Sequence, residues 1–190
     1  RDITERKQME RRLNYMSLHD PLTGLFNRAY FEQEMKRHDG GRQSLGIIIC
    51  DVDGLKLVND TLGHEKGDAL LIAAARMIKG AFRGGDMVAR IGGDEFGVLL
   101  PNRDREVMKK AAGRIRPAIE KYNAAMGPDS PLSVSIGLAF SEDAANTTWL
   151  YKEADNSMHR EKLHRSQSAR SSIVQALMKA LSERAFITEG

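Results

Sequence analysis

The chain has 190 residues, 41% hydrophobic and 29% charged, which suits one domain with a sizeable core plus appendages. Its net charge of +3 is mild and mixed along the chain, which argues against a nucleic-acid partner, and the single Cys50 rules out an intrachain disulfide framework. No apolar run reaches membrane-spanning length and no signal peptide is visible, so a cytoplasmic segment without membrane contact is expected.

Ile3 to about Leu18 reads as a charged helix with a thin apolar stripe of Ile3, Met9, Leu13 and Met16. A stripe that sparse fits a partner helix better than a monomer core. Asn27 to about His38 is a second helix, closed by Asp39-Gly40-Gly41. Ser44 to Cys50 is an apolar run of strand length, expected to be a central buried strand, with Cys50 in the core. It ends in Asp51-Val52-Asp53, and alternation along a strand puts Asp51 and Asp53 on one face.

A short helix follows near Leu55 to Leu62. A longer one spans Glu65 to Phe82 and buries Leu70, Leu71, Ala74, Met77 and Ile78. Two strands come next, Met87 to Ile91 and Phe96 to Pro101, joined through Gly92-Gly93-Asp94-Glu95. The glycines are expected to supply positive φ for a tight turn that presents Asp94 and Glu95 at its tip. Asp104 to about Ala125 reads as one helix kinked by Pro117, Pro131 to Phe140 as a strand, and Thr147 to Arg165 as a helix. Trp149 and Tyr151 are expected to pack. Ser171 to Arg184 is helical again. The order β-α-β-β-α-β predicts an α/β fold of ferredoxin-like type.

Two acidic clusters adjoin apolar strands in this pattern. Carboxylates at a strand end beside an acidic turn supply the hard oxygen ligands that Mg²⁺ prefers. Either cluster alone reads equally well as an ordinary loop. Together they predict a metal-dependent site.

The chain resembles the GGDEF family, the diguanylate cyclases, over roughly Ser17 to Arg165. The resemblance is carried by His19 to Arg28 (HDPLTGLFNR), Asp51 to Lys56 (DVDGLK), Val58 to His64 (VNDTLGH) with Gly67-Asp68, Arg90 to Phe96 (RIGGDEF), Ser133 to Gly137 (SVSIG), and a weaker Ala154-Asp155 with Lys162. It implies a palm-like, nucleotide-cyclase architecture: an antiparallel-rich sheet with helices packed on it. It also implies condensation of two GTP into cyclic di-GMP and two pyrophosphates, with a 3′-hydroxyl attacking an α-phosphate across a homodimer.

By that resemblance Asp51, the Val52 carbonyl and Asp94 are metal ligands for Mg²⁺, or Mn²⁺, with Asp53 and Glu95 as supporting carboxylates. Asp51, Asp94 and Glu95 are the catalytic candidates, and no single general base is singled out. Gly54, Leu55 and Lys56 open a helix whose free amides suit the β- and γ-phosphates. Lys162 matches a phosphate-contacting lysine. The family's Gly-Arg after that lysine reads Arg165-Ser166 here, so Arg165 either reaches phosphate or lies on the surface. Asn59 and Asp68 match the guanine-reading positions; a carboxylate accepts from both guanine donors, and adenine has no such pair. Without the resemblance, Asn59 would read as a helix cap and Asp68 as a helix-start residue. Arg83-Gly84-Gly85-Asp86 matches an RxxD site at which the product inhibits.

Three segments are expected: 1–18 a signalling helix, 19–166 the catalytic domain, and 167–190 a helical linker. Arg1 to Lys7 is similar to the end of a PAS sensor domain, and Ser171 to Gly190 to the opening of an HD-GYP or related HD domain. The chain therefore reads as a piece of a longer protein. Asp20 is expected to pair with a nearby arginine such as Arg90. Rival readings are a regulatory module that binds GTP or cyclic di-GMP without turnover, a structural relay, and a cyclase making a mixed GMP–AMP dinucleotide. Intact Asp94 and Glu95 weigh against the first, the four residues Asp51, Asn59, Asp68 and Asp94 together against the second, and Asp68 against the third.

Overall fold

The computed structural model of the chain describes residues 2–127 and 131–188, with side chains except those of residues 2, 166–170, 172 and 184–188. Part of the expected HD-type opening, the side chains of 184–188 and residues 189–190, lies outside the described residues.

Strand β1 (Leu45–Val52) is buried at every position. It is antiparallel to β3 (Glu95–Pro101) on one side and β4 (Val134–Ser141) on the other, and β2 (Met87–Arg90) pairs with β3. The four-stranded order is β2-β3-β1-β4, as in a ferredoxin-like sheet.

An antiparallel strand usually alternates apolar and polar residues; β1 is apolar until its acidic end because both sheet faces are covered. Ile48, Cys50 and Val52 join one core with α3 (Leu55–Leu62), α4 (His64–Ala81), α5 (Arg105–Ala112) and α6 (Ile115–Met126). Leu45, Ile47 and Ile49 join a second core with α2 (Arg28–His38) and α7 (Thr147–Thr188). A Cβ on Gly137 would run into the backbone of Ala154 and Met158, so that glycine lets α7 lie close against β4.

Local chemistry accounts for the ends of several elements. Asn27 caps α2 by accepting from the Tyr30 N–H, and Asp39 accepts from the N–H and hydroxyl of Thr147 at the start of α7. Leu70, Leu71, Ala74 and Ile78 of α4 are buried, as its helical spacing predicts.

Four expectations change in the structure. Asp104 to Ala125 is two helices, broken at Gly113-Arg114, and Pro117 sits in the first turn of α6, where its missing N–H costs nothing. Thr147 to Arg165 and Ser171 to Arg184 belong to one 42-residue helix, α7. The last strand starts at Val134 rather than Pro131. Trp149 does not pack; it is 57% exposed, whereas Tyr151 meets Phe31 edge-on.

Helix α1 (Asp2–Leu18) leaves Ile3, Met9, Leu13 and Met16 exposed, so its stripe finds no core among the described residues. It joins the domain through a ladder of rings, Tyr15 on His19 on Phe26 on Tyr30. Among the described residues no helix is long and apolar enough to cross a membrane.

Candidate active site

The C-terminal end of β1 brings the acidic residues together. Asp51 lies opposite Glu95 of β3 and Ser135 of β4. The Val52 N–H donates to the Asp94 carbonyl at 2.8 Å, which ties the acidic turn to the strand end. The turn is closed by the Ile91 and Gly92 amides, both donating to the Glu95 carbonyl. Neither Gly92 nor Gly93 has positive φ, contrary to the expectation from the Gly-Gly pair. Gly92 is instead a matter of space, since a Cβ there would come within 2.8 Å of Glu95 Oε2.

Asp51 is 4% exposed. Burial pushes its carboxyl up to about 6, the Lys162 hydrogen bond pulls against that, and the Asp94 charge adds to it. Lys162 Nζ donates to Asp51 Oδ1 at 2.6 Å. Burial opposes the lysine's charge, but the hydrogen bond and charge of Asp51 outweigh it and raise its pKa. The strand end is thus a low-dielectric pocket short of positive charge, with one lysine as counterion.

Asp53 lies one residue past β1 and turns toward β4. Its Oδ1 accepts from the Ser135 hydroxyl and its Oδ2 from the Ser133 hydroxyl, each at 2.7 Å. Both oxygens of Asp53 are therefore engaged by the sheet, while Asp51 faces Lys162 and the turn. Alternation alone had put the two carboxylates in equivalent positions.

Among the described residues no three His, Cys, Asp or Glu side chains gather closely enough to hold a metal ion by themselves. The acidic pair of Asp51 and Asp94, with the Val52 carbonyl, still fits a hard divalent cation, because such ions keep several oxygens from water or ligand.

Gly54 is the N-cap of α3, with φ of 71°. The turn leaves the first amides of α3 without helical acceptors. Leu55 is buried, whereas Gly54 and Lys56 are exposed. One turn further along α3, Asn59 Oδ1 is buried without a hydrogen-bond partner among the described residues. It presses against Gly67, where any Cβ would collide with it, and the exposed Asp68 follows on α4.

Arg165 donates to the Val134 carbonyl at 3.0 Å, so its head is occupied by the start of β4. Arg83 and Asp86 lie before β2, and that four-residue strand separates them from the acidic turn by about 13 Å. The Arg83 N–H donates to Asp86 Oδ2 at 2.9 Å, and the Arg83 side chain is exposed. Arg103 was missed in the sequence: it donates to Asp86 Oδ1 at 3.0 Å. Arg114, also missed, donates to the Ala81 carbonyl at the end of α4. Nothing local marks either, since both depend on contacts between distant segments.

Asp20 and Arg90 form the expected pair, at 3.2 Å. Arg90 also donates to the Gly93 carbonyl at 2.8 Å, so one guanidinium joins the entry of the domain to the acidic turn.

The family model for the diguanylate cyclase GGDEF domain matches residues 17–168. Diguanylate cyclase DgcM of Escherichia coli is 36% identical over 165 residues, which cover 85% of this chain and 40% of that protein. The chain thus spans less than half the length of that curated relative. The GGDEF domain of TpbB from Pseudomonas aeruginosa superposes with a TM-score of 0.63 at 34% identity, covering 77% of this chain and 89% of that one. The coiled coil and GGDEF domain of DgcB from Caulobacter crescentus, solved with c-di-GMP, has a TM-score of 0.75 at 22% identity. It covers 86% of this chain and 90% of that one, and shares its fold.

Proposed function

The chain belongs to the GGDEF family of diguanylate cyclases, and from that premise we propose that it condenses two GTP into cyclic di-GMP and two pyrophosphates. The observation that carries the reading is the juxtaposition of Asp51 and Asp94, tied by the Val52 amide and faced by Lys162.

In each step the 3′-hydroxyl oxygen of one GTP forms a bond to the α-phosphorus of the other, and the bond to the β-phosphate oxygen breaks. Asp51, Asp94 and the Val52 carbonyl would hold Mg²⁺. The bound ion would neutralise phosphate charge and lower the barrier to forming the nucleophilic oxyanion. Asp53, clamped by two serines, fixes the strand end from behind. Lys162 exchanges its hold on Asp51 for triphosphate oxygens, and the amides of Gly54, Leu55 and Lys56 bind the outer phosphates. The acidic turn supplies a carboxylate, Asp94 or Glu95, to assist loss of the hydroxyl proton. Asn59 and Asp68 select guanine: a carboxylate accepts from both the N1–H and N2–H donors, a pair that adenine lacks, and Asn59 supplies an acceptor and a donor to neighbouring edge atoms.

One protomer supplies one bound GTP, so two copies must face each other. The exposed stripe of α1 is the surface that brings them together. Arg83 and Asp86 bind the product for feedback. GTP and Mg²⁺ place the reaction in the cytoplasm. In the parent protein, a sensor would precede α1 and an HD-type domain would follow α7.

The test is incubation of concentrated protein with GTP and Mg²⁺, with nucleotides resolved by chromatography and mass spectrometry. Cyclic di-GMP is expected from the parent and none from Asp94→Ala. GTP bound without product would reduce the site to a regulatory module.

A further inference from the structure

Residues 82–86 connect α4 to β2, and Arg83 and Asp86 stand at the two ends of a four-residue turn within them. Arg83, Gly84 and Gly85 are exposed, and a Cβ built on either glycine would stand in open space. Packing therefore does little to shape the turn, and hydrogen bonds must do it. Two are internal. The Asp86 N–H donates to the Arg83 carbonyl at 3.0 Å, and the Arg83 N–H donates to Asp86 Oδ2 at 2.9 Å. These close the turn without fixing its direction relative to the rest of the fold.

Two side chains from outside the turn supply that direction. Arg103 holds Asp86 Oδ1, an oxygen that a guanine edge would itself use. Lys79, in the last turn of α4, acts on the main chain instead. Its Nζ donates to the Asp86 carbonyl at 2.9 Å and to the Gly84 carbonyl at 3.3 Å. One ammonium thus clamps the chain on both sides of Gly85. The Lys79 carbonyl in turn accepts from the Phe82 N–H at 3.1 Å, so this residue anchors both the start and the end of the connection. Both acceptors of the ammonium are backbone oxygens, which leaves the Arg83 and Asp86 side chains to a ligand.

We propose that Lys79 is a positioning residue for product feedback, holding the Arg83–Asp86 turn in the shape that receives cyclic di-GMP. Two adjacent glycines are the most costly residues to order. Lys79 orders them before the ligand arrives, so binding loses less conformational entropy. The ammonium touches neither the product nor GTP; it acts through the backbone that carries Arg83 and Asp86. This inference rests on the reading that Arg83 and Asp86 bind the product.

The test titrates cyclic di-GMP into the full chain by calorimetry. Lys79→Met keeps the aliphatic stem but removes the donors, and should raise the Kd about fivefold or more. Lys79→Arg keeps a charged donor and should recover most of that loss. The Kd for 3′-deoxy-GTP with Mg²⁺, which binds without turnover, should be the same in Lys79→Met as in the parent. Circular dichroism checks that each variant is folded. An unchanged Kd for cyclic di-GMP in Lys79→Met, while Arg83→Ala loses binding, overturns the positioning role and leaves the inhibitory site standing. Equal losses for cyclic di-GMP and 3′-deoxy-GTP in Lys79→Met also overturn it, because they report a general disturbance of the fold. Binding by Arg83→Ala as tight as the parent's overturns the inhibitory site, and the role of Lys79 with it.

Discussion

Arg90 holds Asp20, 70 positions earlier in the chain, with Nη1 3.2 Å from Oδ1, while its Nη2 holds the Gly93 carbonyl. Both side chains of the pair are largely buried, at 17% and 16% exposure. Arg90 Nε is itself buried without a partner among the described residues. The guanidinium is therefore already under-satisfied on one side. Asp20→Ala would leave a part-buried cation without its counter-charge and is expected to cost about 1–3 kcal/mol. Urea unfolding measures this. Activity should fall with it, because the same arginine positions the acidic turn. Unchanged stability together with unchanged turnover would sever the link.

The same pair sets an acid limit. Burial works to raise the Asp20 pKa, but the Thr23 hydroxyl and amide and the Arg90 charge outweigh it, and the net shift is downward. A carboxyl depressed in the folded state adds stability that is complete above its unfolded pKa of about 3.9. That contribution disappears as pH falls through the lower folded value. The stability gap between parent and Asp20→Asn should be flat from about pH 7 to 5 and shrink below about pH 4. A gap that persists undiminished to pH 2 would contradict the assignment.

Gly67 stands against Asn59, and a methyl group there would collide with the amide oxygen. Gly67→Ala should therefore displace Asn59 and weaken GTP binding about tenfold or more, with the fold retained. Asp68→Asn replaces a double acceptor with a mixed donor and acceptor, and should lower the preference for GTP over ATP by about 1–3 kcal/mol. Competition titrations of the two nucleotides read both effects. Equal losses for GTP and ATP in Asp68→Asn would show that this carboxylate does not read the base.

Asp86 is gripped by Arg103, not by the Arg83 side chain. Arg83→Ala should abolish product inhibition at cyclic di-GMP concentrations that half-inhibit the parent. Arg103→Ala should shift the inhibition constant as well, since it frees Asp86 to reorient. Initial rates with added cyclic di-GMP measure both. Inhibition unaltered in Arg83→Ala removes the inhibitory site from this turn.

Much of the frame is legible locally. The apolar run Ser44 to Cys50, ending in carboxylates, reads as a covered central strand, and the helix expected from Asn27 is found with Asn27 as its cap, reaching the Tyr30 amide. The break at Gly113-Arg114 is hidden because Pro117 draws attention to itself while sitting harmlessly in a first turn. The continuity of α7 is hidden because residues 166–170 (Ser-Gln-Ser-Ala-Arg) carry no apolar periodicity, although they are not helix-breaking. The different fates of Asp51 and Asp53 come from Ser133, Ser135 and Lys162, 80 to 111 positions away. Contacts that long leave no periodic trace. The burial of Ile173 and Leu177 is invisible for the same reason: it depends on where Val58, Leu62 and Leu70 lie, more than 100 positions earlier.

The rims of the sheet carry a last consequence. On the β4 side, the Ile136 and Leu138 amides donate to Glu161 and Ser157 of α7, and Arg116 of α6 pairs with the same Glu161. On the β2 side, Phe26 bridges to Ala89, giving its amide to Val88 and accepting from Arg90. Both borders thus have backbone groups already engaged, by side chains on one side and by a single loop residue on the other. With those groups engaged, edge-to-edge pairing of two copies into one continuous sheet is disfavoured.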